Sequence, residues 1–378
     1  MNRFDAIQRL RRRVSARLVG SMLRDTDGAA PPLPRRGIHR ILICRSIRTL
    51  GNSLTLTPLV QELARVYPGA EVDVVSRSKV ARELFGGFAN VRDLWVLPQH
   101  MPGHAVATFT TFHRMRRKLY DLAIDPDPRS QSGRLMLAIA HERWALGYVG
   151  DGKRGAVTHG VAVPAEVRHK AMLPVYLLRQ ALGENPTGAP FPQPRLPLAA
   201  SELEAGWHDA SRVLAAHPGA GPRIAVFANA TGDKLLPLAW WQAFLATFKA
   251  AVPNARIVEL VPASGRSMLA DAYPAYFTSD VRRLAAFIAN MDACIATDSG
   301  VMHLAWASGT PTLGVFSVTD PAQWGPFGGG HAALHVAGRT PQEAAGLGVE
   351  WWRQAASLQG AAAEWADAAP VSHAGPVM

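Results

Sequence analysis

The sequence predicts an α/β protein of two domains, each built on a parallel sheet, and three observations support this fold class. Short apolar and β-branched runs alternate with helical segments, which is typical of parallel sheets covered on both faces. Residues 185–197 carry five prolines and can form neither a helix nor a central strand. The alternation then restarts. Two such domains are expected to face a central cleft, where ligands commonly bind.

In the first half, the apolar runs predict strands, and helical segments separate them. The run RILIC, which begins this half, is apolar at every position after its arginine, as expected of a strand buried on both faces. The predicted strands are 40–44, 71–76, 93–97, 120–125 and 144–148, with helices at 54–67 and 135–143 among the segments between them.

The second half repeats the pattern, again with strongly apolar strands such as RIAVF and ACIAT. Its predicted strands are 223–227, 256–261, 293–297 and 312–316, and its helices are 237–252, 281–290, 301–308 and 349–359. The domain prediction is a basic N-terminal extension (1–36), a first domain (37–184), a linker (185–200), a second domain (201–345) and a helical, Ala-rich tail (346–378).

Composition agrees with a folded chain of this size. The 378 residues are 48% hydrophobic and 18% charged, which allows two cores and excludes global disorder. Cys44 and Cys294 lie in apolar runs, which excludes a disulfide framework and a cysteine zinc site. Neither the apolar run of a membrane-spanning helix nor the pattern of a signal peptide is visible. The sequence therefore predicts a cytoplasmic location.

Most of the formal charge of +11 belongs to the N-terminus, because residues 1–40 hold ten arginines and three acidic residues. Apolar residues recur there every three or four positions, which predicts an amphipathic, Arg-rich helix. Such a helix can lie on an anionic membrane surface, here the inner face of the cytoplasmic membrane. It can equally pack on the protein's own body or form a basic tail. A nucleic-acid partner is not expected, since no binding module follows. The apolar positions are Phe4, Ile7, Leu10, Val14, Leu18 and Met22.

Several common chemistries have no motif in this chain. The sequence contains no G-x-G-x-x-G after a strand, no Walker A motif and no G-x-S-x-G elbow. Its 13 histidines have no metal-ligand spacing. Asp125-Pro126-Asp127 could hold a divalent metal, but a short acidic turn at a strand end is the better interpretation. No metal site is predicted.

Three segments at predicted strand ends are candidates for ligand binding. Residues 45–52 and 298–305 each lead from a strand into a helix, and helix N-termini attract anions through their free N–H groups. Asp298 or Ser299 can cap the second of these helices. Residues 229–234 form a small loop that ends in Lys234. Each segment could also be an ordinary structural turn.

In order and spacing, these segments resemble glycosyltransferase family 9, the ADP-heptose:lipopolysaccharide heptosyltransferases, over about residues 41–327. The most specific part is DSGVMHLAWASGTPTLGVFSVTDPAQWGPFG (298–328), and ILICRSIRTLGNSLTLTPLVQELARVYPGAEVDVV (41–75) is similar to the family's opening strand, turn and helix. The resemblance implies the GT-B fold and inverting, metal-independent transfer of heptose from ADP-heptose to the lipopolysaccharide inner core or a related glycolipid, with no cofactor.

The resemblance also implies site residues. Lys234 would offset the charge on the departing ADP, a task for which a metal-free enzyme uses lysine and helix N-termini. The donor would be held by Asn229, Ala230, Lys234, Asp298, Ser299, Gly300, Val301 and His303. A phosphorylated acceptor could be met by residues that lie on predicted loops of the first half, namely Arg45, Arg48, Gly51, Arg129 and Arg134. Each of these arginines could equally be a solvated surface residue.

One position departs from the family. Asn52 stands where the family has the aspartate of an L-G-D turn, which is thought to deprotonate the acceptor, and an amide is not a useful base at neutral pH. Three alternatives follow: another carboxylate serves, with Asp125 the nearest by topology; the acceptor needs little base assistance; or the protein binds a sugar nucleotide without turnover. A transferase using a different nucleotide sugar is a further alternative.

Overall fold

A computed structural model describes residues 31–46, 48–98, 103, 105–150, 153, 155, 157–215 and 217–368. Its contacts divide the chain into two compact units. Among the described residues, the first unit comprises those up to Glu202 together with 280–285 and 322–324, and the second comprises those in 203–279 and 286–321 and those from Gly325 onward. The predicted N-terminal helix falls largely on residues 1–30, outside the described residues, so it stays a prediction.

The first unit contains a parallel six-stranded sheet with the strand order β3-β2-β1-β4-β5-β6. Central strand β1 is buried after its first residue, because β2 and β4 flank it in parallel register and helices cover the sheet. The strands are β1 (Arg40–Cys44), β2 (Glu71–Ser76), β3 (Val91–Val96), β4 (Tyr120–Asp125), β5 (Glu142–Val149) and β6 (His159–Ala162). The helices are α1 (Leu50–Leu54), α2 (Thr57–Val66), α3 (Ala81–Phe85), α4 (Ala105–Arg116), α5 (Ser132–Ile139) and α6 (Leu173–Ala181).

Three predictions for this unit need correction. The helix predicted at 54–67 is α2, which begins later, at Thr57, and a separate short helix, α1, precedes it. Gly51 and Asn52 lie in α1 rather than in a turn. The break occurs where the hydroxyls of Thr55 and Thr57 donate to backbone carbonyls three residues earlier, which competes with helical hydrogen bonding. The helix predicted at 135–143 is α5, which ends earlier, so β5 begins at Glu142.

The proline-rich stretch lies against the first unit and has no regular secondary structure. The buried guanidinium of Arg179 on α6 pairs with Glu62 and donates to the carbonyl oxygens of Pro186, Ala189 and Pro190 at 2.8–3.3 Å. Gln61 donates to the carbonyl of Gln193. The composition predicts an irregular segment, and these hydrogen bonds hold it in one place.

The second unit contains its own parallel sheet, in the order β12-β11-β10-β7-β8-β9. The predicted fold class, an α/β protein of two domains, is therefore confirmed, and each described unit contains a six-stranded parallel sheet. The strands are β7 (Arg223–Phe227), β8 (Arg256–Leu260), β9 (Ala275–Tyr276), β10 (Ala293–Thr297), β11 (Thr312–Phe316) and β12 (Ala332–His335). The helices from residue 200 onward are α7 (Ala200–Leu214), α8 (Leu238–Ala251), α9 (Val281–Ala289), α10 (Gly300–Ala307), α11 (Pro321–Trp324) and α12 (Pro341–Ala368). Of these, α7, α9 and α11 each have part of their residues in the first unit.

The core of the second unit is aromatic on the α8 side. Trp241, Phe244 and Phe248 are buried on α8, and Val349 and Trp351 of α12 belong to the same apolar cluster. The tail helix predicted at 349–359 therefore begins earlier, at Pro341, and packs as part of this core. Within the described residues, no helix combines the length and apolar character needed to cross a membrane.

Candidate active site

The candidate donor site lies at the carboxyl edge of the second sheet. Strand β10 pairs in parallel with β7 on one side and β11 on the other. Because the carboxyl ends of parallel strands meet at one edge of the sheet, the loops after these three strands lie side by side. The loops contain Lys234, Asp298 and Thr319.

Lys234 contacts the segment that leads into α10. It ends a single turn of 3-10 helix, Gly232–Lys234, and its Nζ donates to the backbone oxygen of Asp298 at 3.1 Å and to Oδ2 of Asp298 at 3.2 Å. The Lys234 side chain is 27% exposed and that of Asp298 is 8% exposed. The structure thus brings together two residues that the sequence separates by more than 60 positions, and leaves the lysine accessible to a ligand.

Two hydroxyl groups complete this arrangement. Thr319 donates to Oδ2 of Asp298, and Ser317 donates to the backbone oxygen of Lys234 at 3.2 Å. Neither was among the predicted site residues. Thr319 lies in the T-D-P part of the motif that carries the family resemblance, so this motif could have identified Thr319 as a site residue. The two hydroxyls fix the carboxylate and the lysine loop relative to each other.

Helix α10 presents its N-terminus at the same edge. Ser299 is its N-cap and accepts a hydrogen bond from the backbone N–H of Met302 at 3.3 Å. The N–H groups of Gly300 and Val301 have no carbonyl partner within the helix, by the geometry of a first turn. Gly314 of β11 lets α10 approach, because a Cβ there would lie 2.6 Å from the Met302 sulfur. The result is a positive helix end beside a lysine, which favours a diphosphate.

The remaining predicted donor residues have different surroundings. Asn229 and Ala230 follow β7 and are half-buried, and the backbone oxygen of Asn229 accepts from the Thr297 hydroxyl at 2.6 Å. His303 is 4% exposed, and its ring centroid lies 6.3 Å from that of Trp306. Burial favours a packing role for His303 over contact with a donor. The donor roles of Asn229 and Ala230 stay predictions.

In the first unit, Asn52 belongs to the first turn of α1. Its Nδ2 donates to Oγ1 of Thr49, the N-cap residue, at 2.8 Å. Asn52 is half-buried and Gly51 is buried. The amide thus ties the start of the helix to its first turn, and an aspartate could keep this contact by accepting from the Thr49 hydroxyl.

Asp125 lies at the end of β4, at the predicted edge, but it is fully buried. Its carboxylate pairs with Lys153, and Nη1 of Arg134 lies 3.9 Å from Oδ2. Gly133 covers it so closely that a Cβ there would lie 2.0 Å from Oδ1. Burial raises the pKa of Asp125, and the charges of Lys153 and Arg134 act in the opposite direction. This placement favours a buried counter-ion over a base that touches an acceptor.

The four predicted acceptor arginines also divide by burial. Arg48 and Arg129 are exposed, whereas Arg45 is 7% exposed and Arg134 is fully buried. Arg134 donates through Nη2 to the backbone oxygen of Tyr148, so contact between Arg134 and an acceptor is not supported. In the described part of the chain, no group of three or more His, Cys, Asp or Glu side chains is placed to hold a metal ion.

Comparison with known families gives a match in the second unit. The family described as glycosyltransferase family 9 (heptosyltransferase) matches residues 278–344, which contain Asp298, Thr319 and the N-terminus of α10. No curated protein sequence is similar enough to this chain to count as a match.

Several solved structures have folds similar to that of this chain. A glycosyltransferase family 9 protein from Veillonella parvula is 16% identical with a TM-score of 0.63, covering 79% of this chain and 86% of its own. E. coli heptosyltransferase WaaC with ADP is 18% identical with a TM-score of 0.62, covering 84% and 99%. E. coli ADP-heptose lps heptosyltransferase II is 17% identical with a TM-score of 0.61 and the same coverage.

At 16–18% identity, the structural likeness shows the fold alone. The family match shows in addition that residues 278–344 have the sequence pattern of glycosyltransferase family 9. The sequence-based resemblance is thereby confirmed. The chain is identified as a glycosyltransferase with the two-domain GT-B fold that resembles glycosyltransferase family 9.

Proposed function

We propose that the protein transfers a heptose from ADP-heptose to the lipopolysaccharide inner core or a related glycolipid, with inversion and without a metal. The observation that carries the proposal is the contact of Lys234 with Asp298 beside the N-terminus of α10. A leaving nucleoside diphosphate develops negative charge on its terminal phosphate. A lysine and a helix N-terminus supply stabilisation there without a metal ion.

The donor assignment rests on the family match and on the neighbours' ligands. WaaC has been solved with ADP and with ADP-2-deoxy-2-fluoro heptose. In this chain, the segment that matches the family includes Asp298, Ser299 and Gly300, which present the cap and the free N–H groups that a diphosphate needs.

The proposal is tested with the purified full chain and a heptose-deficient core glycolipid. Mass spectrometry of the product is expected to show the addition of one heptose with ADP-heptose as donor. Parallel reactions with other ADP-sugars and with UDP-sugars test the alternative donors. Transfer of a different sugar at a higher kcat/KM would overturn the heptose assignment, and an unchanged glycolipid core in a deletion strain would overturn the acceptor.

A non-catalytic sugar-nucleotide binder is the second candidate function, and Asn52 is the observation that favours it. For the variant Asn52→Asp we expect turnover to rise at least about tenfold, because a positioned base contributes about 10²–10⁴-fold. We expect the free energy of unfolding to change by less than about 0.5 kcal/mol, since the two side chains are isosteric and an acid in a first helical turn is favourable.

Steady-state kinetics with ADP-heptose measures this effect. Asn185→Asp in the same unit is the matched control, because Asn185 is exposed and its Oδ1 accepts hydrogen bonds that an aspartate can also accept. Lower activity of Asn52→Asp would mean that the amide N–H groups hold the acceptor, and the base interpretation of this position would then fail. Donor binding without turnover in both wild type and Asn52→Asp would support the binding protein.

We further propose that the basic N-terminal segment attaches the enzyme to the inner face of the cytoplasmic membrane. Removal of residues 1–30 is expected to reduce co-sedimentation with vesicles that contain anionic lipid, because each arginine near such a surface contributes about 1 kcal/mol. Vesicles of neutral lipid are the control. Equal binding of the full and shortened chains to anionic vesicles would exclude this role.

A further inference from the structure

We propose that the outer face of α4, in the first unit, binds the surface of a lipid bilayer that contains anionic phospholipid. This face is separate from the basic N-terminal segment, and its binding to lipid does not depend on the proposed transfer reaction. Three features of α4 carry the inference: exposed apolar side chains, arginines on the same face, and a long stretch of chain without acidic residues.

Helix α4 exposes two large apolar side chains one turn apart. Val106 is 81% exposed and Phe109 is 72% exposed. The opposite face of the helix holds α4 on the first unit, because Met115 is buried in an apolar cluster and Phe112 packs against that cluster. Val106 and Phe109 therefore have no part in attaching α4 to its own unit. Exposed apolar patches beside polar residues are typical of interaction sites.

The same outer face is cationic. Phe109, His113 and Arg117 follow one another at intervals of four residues and so share one face of the helix. Arg117 continues the last turn, since its backbone N–H donates to the carbonyl of His113 at 3.2 Å. Arg114 and Arg116 flank this face, and all three arginines are exposed. The outer face of α4 is therefore apolar in its first half and basic in its second half.

No acidic residue of this segment offsets the arginines, because residues 94–120 contain neither aspartate nor glutamate. The aspartates that border the segment are engaged. Asp93 pairs with Lys118, and Oδ2 of Asp121 accepts from two backbone N–H groups at the start of β1, at 2.8 and 2.9 Å. The positive charge of α4 is therefore available to an external anion.

These features select the class of partner. An anionic bilayer attracts basic residues and takes up adjacent apolar and aromatic side chains at the level of its headgroups. Residues 1–30 carry seven arginines and three acidic residues, so this segment would be repelled, and a second copy of α4 would also bring like charges together. A nucleic acid would neutralise the arginines but would leave Val106 in water. A lipid surface accommodates both the charge and the apolar side chains.

The first test is co-sedimentation of the full chain with vesicles of phosphatidylcholine and phosphatidylglycerol. The variant Arg114→Gln/Arg117→Gln removes two charges from α4. We expect it to weaken partitioning by roughly tenfold to thirtyfold, because two basic residues leave the lipid surface. The matched control is Arg82→Gln/Arg353→Gln, which removes two exposed arginines elsewhere and is expected to partition like the wild type. The N-terminal segment is present in every form, so the difference reports on α4.

The second test shows whether α4 touches the bilayer. Cys44 and Cys294 are buried, so the variant Phe109→Cys can be labelled at one position with the environment-sensitive fluorophore NBD. With anionic vesicles, we expect the emission of this label to shift to the blue. The control is Ser211→Cys, an exposed position of α7 in the second unit, where no shift is expected.

The label at position 109 decides the outcome. No blue shift there would overturn the inference, whatever the charge variant does, because α4 would then not contact lipid. Partitioning of Arg114→Gln/Arg117→Gln equal to that of the wild type would also overturn it. Binding of a single-stranded oligonucleotide that requires these two arginines, without a shift at 109, would assign the face to nucleic acid instead.

Circular dichroism checks the fold of each form. If the charge variant does not fold, Val106→Ser takes its place, and we expect it to partition roughly threefold more weakly than the wild type because it removes apolar surface. The vesicles contain neither a sugar nucleotide nor a glycolipid acceptor. Failure of the lipid contact is therefore distinguishable from failure of the proposed transferase activity.

Discussion

Replacement of Lys234 by methionine is expected to lower kcat by about 10²–10³-fold, which corresponds to about 3–4 kcal/mol of transition-state stabilisation. The physical reason is that Lys234 is the cation held against Asp298 at the N-terminus of α10, where the departing diphosphate would lie. The stem of methionine replaces most of the apolar part of the lysine, so the loss isolates the charge. Steady-state kinetics with ADP-heptose measures it.

Two further variants test whether the effect is due to the positive charge at position 234. Lys249→Met removes an exposed lysine from α8 in the same unit and is expected to keep wild-type kinetics. Lys234→Arg keeps the charge but changes its geometry, and intermediate activity is expected. Wild-type kcat in Lys234→Met would contradict the proposed donor site.

The second large effect concerns stability. Asp125→Asn is expected to lower the free energy of unfolding by about 3–5 kcal/mol at neutral pH, because it leaves Lys153 and Arg134 buried without their counter-ion. Both cations are at most 1% exposed. Chemical denaturation followed by circular dichroism measures the loss. The double variant Asp125→Asn/Lys153→Met is expected to recover part of it.

The stability lost in Asp125→Asn should also depend on pH, and it should become smaller as the pH rises. Burial lowers the pKa of Lys153 in the folded protein. In Asp125→Asn, this lysine is therefore easier to deprotonate when folded than when unfolded. The deficit relative to the wild type should be largest below the folded pKa of Lys153. It should shrink as the pH rises from that value towards the folded pKa of Lys153 in the wild type, which is higher because Asp125 raises it.

An alternative result would restore the base interpretation of Asp125. If Asp125→Asn unfolds like the wild type but has lost turnover, the carboxylate acts on the acceptor after a rearrangement that exposes it. A destabilised variant that keeps its activity under conditions where it is folded would identify Asp125 as a counter-ion alone.

The strongest sequence signals correctly predicted the central strands. Strands β1, β2, β4, β7, β10 and β11 have the predicted bounds, because most of their residues are apolar or β-branched and all but the first one or two of each strand are buried. Strands β6, β9 and β12 were missed, since they are outer strands of two to four residues. Short outer strands have too little buried surface to produce a continuous apolar pattern.

The proximity of Lys234 and Asp298 was predictable for a topological reason. Lys234 and Asp298 each follow a strand, and adjacent parallel strands bring the following loops together. The same argument placed Asp125 at the edge of the first sheet, but it could not show whether the carboxylate is open to solvent. That depends on Gly133, where the missing side chain lets α5 lie directly over the carboxylate.

Two features could not be predicted from the sequence. One is that Nε and Nη1 of Arg45 have no hydrogen-bond partner among the described residues, and the other is the burial of Lys153. Both depend on how loops after different strands pack, and a single sequence does not show such packing.

The hydrogen bonds of Arg179 have a consequence for limited proteolysis and for separate expression of the two units. By composition, residues 185–197 would be the natural place to divide the chain. A protein ending at 184 would leave a guanidinium that is 4% exposed without three carbonyl partners, at a cost of about 1–3 kcal/mol. Proteases should cleave this proline-rich stretch slowly, and an independently folding first unit should extend through Pro197.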